Sequence, residues 1–171
     1  MVQLQTMEKI DVKNKDKRLQ EIKTILSTFS EETVFILTSH LLVEKYIDEL
    51  LEKILPNGSK ITNNKNIRFT FLAKCEILES MKLLNANSYP LLKELNSLRN
   101  KFSHKISYKI SKKDIDNFIP HIKSDFRKKM PLTNDAWSNF EILKIITYYI
   151  FGLITATLDA NLQVKIGKNN K

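Results

Sequence analysis

The sequence predicts an all-α chain: an antiparallel bundle of four to five main helices forming a single domain over residues 1–171. Three observations carry that expectation. Apolar residues recur at three- and four-residue spacing along most of the chain. Only 3 Gly and 4 Pro interrupt 171 residues, too few turn formers for a many-stranded β architecture. No strand-length alternation of apolar and polar residues competes with the helical pattern. The length suits one ordinary domain, and 42% hydrophobic with 27% charged residues excludes wholesale disorder, a collagen-like chain and a coiled-coil rod.

Residues 1–18 form a polar, basic start, after which Leu19, Ile22, Ile25, Leu26 and Phe29 predict a short amphipathic helix. Ser30 ahead of Glu31, Glu32 and Thr33 is a helix-start signal. Its hydroxyl can accept from an unpaired first-turn amide, and carboxylates favour the positive helix end. Val34, Leu37, Leu41, Ile47, Leu50, Leu51 and Ile54 carry a long helix to the breaker Pro56-Asn57-Gly58. Ile61 to Asn66 reads as a loop. A helix with Ile67, Phe71, Leu72, Cys75, Leu78 and Met81 inward follows and stops near Asn85-Ala86-Asn87.

Ser88 and Pro90 open the next helix, where a first-turn proline loses no hydrogen bond. Its apolar stripe is Leu91, Leu92, Leu95, Leu98 and Phe102. Ser111 and Asp114 have capping-box spacing, and Ile115, Phe118, Ile119, Ile122 and Phe126 follow at helical intervals. Pro120 falls inside that pattern, which predicts a kink or two shorter helices. Trp137, Phe140, Leu143, Ile146, Ile150, Leu153, Ile154 and Leu158 mark a final, unusually apolar helix, and residues 161–171 read as a flexible basic tail. Within that helix, Thr147 to Leu158 suits either core burial or a dimer surface.

The lone Cys75 can form no internal disulfide, which fits a reducing compartment. Met1 to Lys9 lacks the apolar core of a secretory signal. The longest uncharged run, between Lys144 and Asp159, is 14 residues, against about 20 needed to span a bilayer. A cytoplasmic chain without a membrane partner is therefore expected.

Net charge is +9, and its distribution says more than its total. Ser30 to Leu55 holds six carboxylates against two lysines, whereas Lys105 to Lys129 holds eight basic residues against three acids. One helix is acidic and a later segment basic, the pattern of a polyanion-binding face or simply of solvated surfaces.

The chemistry-bearing motif is Leu98-Arg99-Asn100-Lys101-Phe102-Ser103-His104. Of the 28 basic residues only 4 are arginine, so Arg99 points to a planar, two-pronged contact with phosphate or carboxylate. An imidazole, with an ordinary pKa near ~6.5, can act as acid or base at neutral pH. Asn100 lies four residues before His104 on one helical face and can orient the imidazole or bind substrate. Arg99 and His104 are five residues apart, so on a regular helix their side chains leave the axis about 140° apart. Either a long arginine reaches a shared cleft, or the helix ends between them. The packing alternative is that both cap helix carbonyls.

This motif, an arginine, a polar residue and then a histidine, resembles that of the HEPN superfamily of all-α domains in prokaryotic toxin–antitoxin and antiviral systems. From Phe35 to Ser107 the chain is similar to the mannitol-repressor-like branch, through His40-Leu41-Leu42-Val43-Glu44-Lys45-Tyr46-Ile47, Phe71-Leu72-Ala73-Lys74 and the run from Leu98 to His104. The toxin branch often has a tyrosine two residues after the histidine; here that position is Ile106, with Tyr108 two further on.

The resemblance implies a HEPN-like metal-independent endoribonuclease without a cofactor. Arg99, Asn100 and His104 would be catalytic, and a homodimer would supply two histidines to one site. It also implies RNA as substrate and a cognate antitoxin or regulatory protein as partner. Lys101, Lys105, Lys109, Lys112, Lys113, Arg127, Lys128 and Lys129 would guide the RNA backbone. The mannitol-repressor-like branch implies the alternative of a catalytically inactive regulator or adaptor binding protein or nucleic acid.

Other polar residues have packing expectations. His40 reads as partly buried and bonded to a carbonyl, and His121 as surface. Glu44, Asp48, Glu49 and Glu52 read as a solvated acidic face, since no Glu-x-x-His spacing accompanies them to make a metal site. Cys75 reads as core, and Tyr148 and Tyr149 as packing or interface residues.

Overall fold

The computed structural model describes residues 17–24, 32–62, 69–105, 108–131 and 136–169, with Ile61 and residues 162–169 as backbone only. All regular structure among them is helical: α1 (17–24), α2 (Glu32–Ile54), α3 (Gly58–Thr62), α4 (Phe71–Ser80), α5 (Ser88–His104), α6 (Lys112–Phe118), a 3-10 turn (Ile119–His121), α7 (Ser124–Arg127) and α8 (Asn139–Asn169). The expected cap Ser30, the apolar positions Ile25, Leu26 and Phe29, and Ile67 lie outside the described residues.

α2 is the centre of the bundle and packs against α3, α4, α5 and α8, while α5 also meets α4, α6 and α8. Phe35, Ile36, Val43, Ile47, Leu50 and Leu51 of α2 share one core with Leu91, Leu92 and Leu95 of α5 and with Leu143, Ile146, Phe151 and Ile154 of α8. Each is at most 2% exposed in the folded chain. Fully burying such a side chain contributes roughly 1.5–3 kcal/mol. Ile22 of α1 joins this core, and Arg18 holds α1 in place by ion pairs to Asp159 of α8 and Glu49 of α2.

The local stop signals work as written. α2 ends before Pro56, Asn57 takes the left-handed conformation at φ 60°, and the Gly58 amide donates to the Leu55 carbonyl at 3.0 Å. The chain then forms the one-turn helix α3 instead of entering the expected loop directly. Gly58 allows this close return: a Cβ there would lie 2.3 Å from the Leu51 carbonyl oxygen and 2.7 Å from the Glu52 Cα. Both obstacles are backbone, so Gly58→Ala should destabilise the fold by about 2 kcal/mol in denaturant titration.

α4 starts one turn later than the apolar pattern predicts, because the Thr70 hydroxyl caps it by accepting from the Ala73 amide at 3.2 Å. It ends in a Schellman arrangement: the Leu83 amide donates to the Leu78 carbonyl and the Lys82 amide to Glu79, with Lys82 left-handed at φ 56°. Met81, expected inward, sits at this cap and is 43% exposed. Leu41, also expected inward, is 63% exposed, and among the described residues no element covers it.

Ser111 and Asp114 form the predicted capping box of α6, and the Pro120 pattern resolves into separate short helices joined by the 3-10 turn. Tyr149 stacks on Phe126 of α7 with ring centroids 4.4 Å apart, the packing role expected of it. α8 begins at Asn139, so Trp137 precedes it and is not part of its buried stripe. The hydroxyls of Thr147, Thr155 and Thr157 are satisfied within α8 by the carbonyls of Leu143, Phe151 and Leu153.

The backbone of α8 is helical to Asn169, through most of the stretch expected to be a flexible tail. Its segment Asn139–Asn161 is long and apolar enough to cross a membrane, more than the 14-residue uncharged run suggests, although 56% of its most apolar window is buried inside the bundle. Most of Thr147 to Leu158 is already covered by the chain's own core.

Candidate functional site

The motif lies on the last two turns of α5. Leu91, Leu92, Leu95, Leu98 and Phe102 face the core. At 100° per residue, Arg99, Ser103, Asn96, Asn100 and His104 then fall in that order across one polar wedge about 140° wide. The helix does not end between Arg99 and His104. It runs through His104, its last residue, where the Lys105 amide donates to the Lys101 carbonyl at 3.1 Å.

Arg99 is half-buried and donates from Nη1 to Asn100 Oδ1 at 3.1 Å. Among the described residues it has no carboxylate within ion-pair distance. It does not cap the helix carbonyls; the Ser103 hydroxyl takes up the Arg99 carbonyl instead, at 3.0 Å. His104 is exposed. The motif thus presents a guanidinium with no ion-pair partner among the described residues, an amide bonded to it and a solvent-facing imidazole.

His40 stands behind this wedge. It is 4% exposed, its ring lies 4.3 Å from that of Phe71, and its Nε2 donates to the side-chain carbonyl of Asn96 at 3.1 Å. Burial lowers its pKa, with the nearby Arg99 acting in the same direction against the Asn96 bond and Glu44. It is therefore a neutral, buried imidazole bonded to a carbonyl, as its position suggested. It is not a second exposed proton carrier. Asn96, four residues before Asn100, is the site neighbour that the motif alone does not reveal; its i, i+4, i+8 relation to Asn100 and His104 is the available signal.

The segment after His104 is anchored by Asp114, whose carboxylate is 3% exposed. Lys101 donates to it at 2.6 Å, the Ser111 hydroxyl at 2.6 Å, the Ser111 amide at 2.8 Å and the Tyr108 hydroxyl at 2.7 Å. Burial alone would push this carboxyl up; the donors outweigh it and hold it at about 2. Tyr108 packs edge-on against Phe102, with Lys101 and Lys105 above its ring at 5.9 and 5.7 Å.

The expected RNA-guiding residues therefore divide. Lys101 is committed to Asp114, and Lys112 pairs with Asp116 on the exposed face of α6. Lys105, Lys109, Lys113, Arg127, Lys128 and Lys129 are exposed, without an ion pair among the described residues.

The acidic residues of α2 are not simply solvated. Lys74 of α4 reaches Glu44 at 2.9 Å and Asp48 at 2.8 Å, and Glu49 pairs with Lys53 and Arg18. A surface groove of about 510 Å³ lies on this face, lined by Leu41, Glu44, Lys45, Asp48, Glu49, Glu52 and Thr62; it includes no residue of the motif and has the wrong charge for a polyanion. Among the described residues no group of three or more His, Cys, Asp or Glu is placed to hold a metal ion. Cys75 is buried, and burial pushes its thiol up to about 12, so it offers no thiolate.

Comparison with known proteins brings no family to this geometry: no family model, no curated protein and no solved structure matches the chain.

Proposed function

We propose that this chain is a HEPN-like, metal-independent endoribonuclease, a cytoplasmic toxin or phage-defence effector acting as a homodimer. The observation that carries this reading is Arg99, a half-buried guanidinium without a carboxylate partner among the described residues, on the helix that ends in exposed His104. Keeping a cation uncompensated in that position suits an anionic ligand, and the forked guanidinium matches the two free oxygens of a phosphodiester.

Metal-free cleavage of RNA needs a proton taken from the 2′-hydroxyl, that oxygen held in line with phosphorus, and charge stabilised on the phosphoryl oxygens. His104 supplies the proton transfer and Arg99 the charge stabilisation. Asn100 fixes the guanidinium through its side-chain oxygen, and its amide hydrogens remain for substrate. Because one chain presents a single exposed imidazole at the motif, a two-fold pair of chains supplies the second, one as base and the other as acid. Lys105, Lys109, Lys113, Arg127, Lys128 and Lys129 hold the flanking phosphates, while Lys101 and Lys112 are taken up by ion pairs. A cognate protein that covers this face would silence the activity.

Incubation of single-stranded RNA with the purified chain in EDTA tests the proposal. Internal cuts that disappear in the His104→Ala variant are expected. Equal cutting by both proteins, or a requirement for added metal, overturns the mechanism. Partner binding with no cleavage at any concentration would instead identify a regulator or adaptor.

A further inference from the structure

Trp137 is the chain's only tryptophan, and its side chain is 41% exposed. Its position outside α8 is fixed by the helix start. The Ser138 amide donates to Glu141 at 2.8 Å, and the Glu141 amide donates back to the Ser138 hydroxyl at 3.2 Å. Trp137 is therefore the residue immediately before the cap. A packing role there would be a staple onto Ile142, one turn inside the helix. The indole nevertheless leaves much of its surface in solvent, and no other ring lies against it among the described residues.

One residue after the cap, Asn139 donates from Nδ2 to the Ile110 carbonyl at 3.2 Å. This bond brings the start of α8 to the segment that follows the motif, and the Ile110 amide is held in turn by Glu32 at 3.2 Å. Lys109 precedes Ile110, and Lys112 and Lys113 open α6 just after it; all three are exposed. Chain reach from that bond keeps the backbone of Trp137 within about 20 Å of that of Lys109. His104 lies six residues before Ile110 on the same connection.

Lys112 is taken up by Asp116, whereas Lys109 and Lys113 have no ion pair among the described residues. An exposed indole near such lysines is the combination that binds unpaired nucleotides. The aromatic face replaces the neighbouring base of a stack, and the ammonium groups neutralise phosphates. A duplex keeps its bases stacked on each other and cannot use the indole. We propose that Trp137 is a stacking platform for an unpaired base, with Lys109 and Lys113 holding adjoining phosphates, so that this face takes single-stranded RNA. The inference deepens the nuclease reading by naming its substrate class, and rests on that reading for the choice of RNA as polyanion.

Tryptophan fluorescence of the full chain carrying His104→Ala, titrated with a 12-nucleotide oligouridine and separately with the same strand paired to oligoadenine, tests it. Saturable quenching by the single strand and several-fold weaker binding of the duplex are expected. Adding Trp137→Ala should weaken single-strand binding about tenfold or more, measured by anisotropy of a labelled strand, whereas Trp137→Phe should stay within about threefold. Unchanged fluorescence, duplex binding as tight as single-strand binding, or an unaffected Trp137→Ala protein overturns the platform. If the wild-type chain cuts RNA in EDTA while Trp137→Ala binds normally, only the platform fails. If quenching is seen and no RNA is cut, only the nuclease reading fails.

Discussion

RNA cleavage in EDTA is expected to fall about 10²- to 10⁴-fold when His104 becomes alanine, the range a general acid or base contributes. The variant should fold normally, since His104 is the exposed last residue of α5 and the cap hydrogen bond from Lys105 to Lys101 uses backbone alone. Two companions make the result specific. Arg99→Lys keeps the charge but loses the fork that holds two phosphate oxygens and the Asn100 contact, so it should lose most of the activity as well. Ser103→Ala should leave cleavage unchanged, because that hydroxyl serves only the Arg99 carbonyl. Activity retained in His104→Ala would remove the proposed chemistry, and a comparable loss in Ser103→Ala would attribute the effect to the helix end and not to the imidazole.

Which features of this chain could be read in advance depends on how locally they are encoded. The capping box of Ser111 with Asp114, the stop at Pro56-Asn57-Gly58 and the interruption at Pro120 are decided within four residues by backbone donors and steric exclusion, and each forms where the sequence puts it. Leu41, Met81 and Trp137 fit the helical period equally well, yet all three are exposed. Periodicity says which residues are apolar on one side of a helix. It does not say whether another element arrives to cover them.

The same limit applies to polar partners. Lys74 reads as one more lysine on an amphipathic helix, but it is 8% exposed and lies between Glu44 and Asp48, because α4 crosses α2 at that register. Burial works against its ammonium, and the two carboxylates still hold it above its usual range. His40 found its carbonyl as expected, on Asn96, 56 residues away in sequence. At the motif, the placement of Arg99, Asn100 and His104 along one polar face of a single helix was legible, because helical spacing alone sets it. The commitments of Lys101 and Lys112 were not: the capping box accounted for Asp114 without a lysine, and Asp116 reads as an ordinary member of a charged helix.

Asp114→Asn is expected to be the most destabilising polar substitution near the site. The carboxylate accepts from Lys101, Tyr108 and both donors of Ser111 while almost fully removed from water. An amide loses the ion pair and turns one acceptor into a donor facing those donors, at a cost of about 3 kcal/mol. For a chain of this size that lowers the melting temperature by roughly 10 °C. The pH dependence identifies the cause. The folded carboxyl is held at about 2, below its ordinary 3.8, so its ionised form stabilises the fold fully above pH 4. That contribution, about 2 kcal/mol, is lost as pH falls from about 4 towards 2. The stability gap between wild type and Asp114→Asn in urea titrations should therefore be constant above pH 4 and shrink below it; a gap independent of pH would assign the loss to packing alone. The variant also frees Tyr108 and Lys101 at the end of α5, so the segment carrying Lys109 and Lys113 should lose its anchor even at temperatures where the protein remains folded, read as faster hydrogen exchange of the Ile110 and Ser111 amides. In that respect Asp114 connects the stability of the bundle to the placement of the basic segment beside His104.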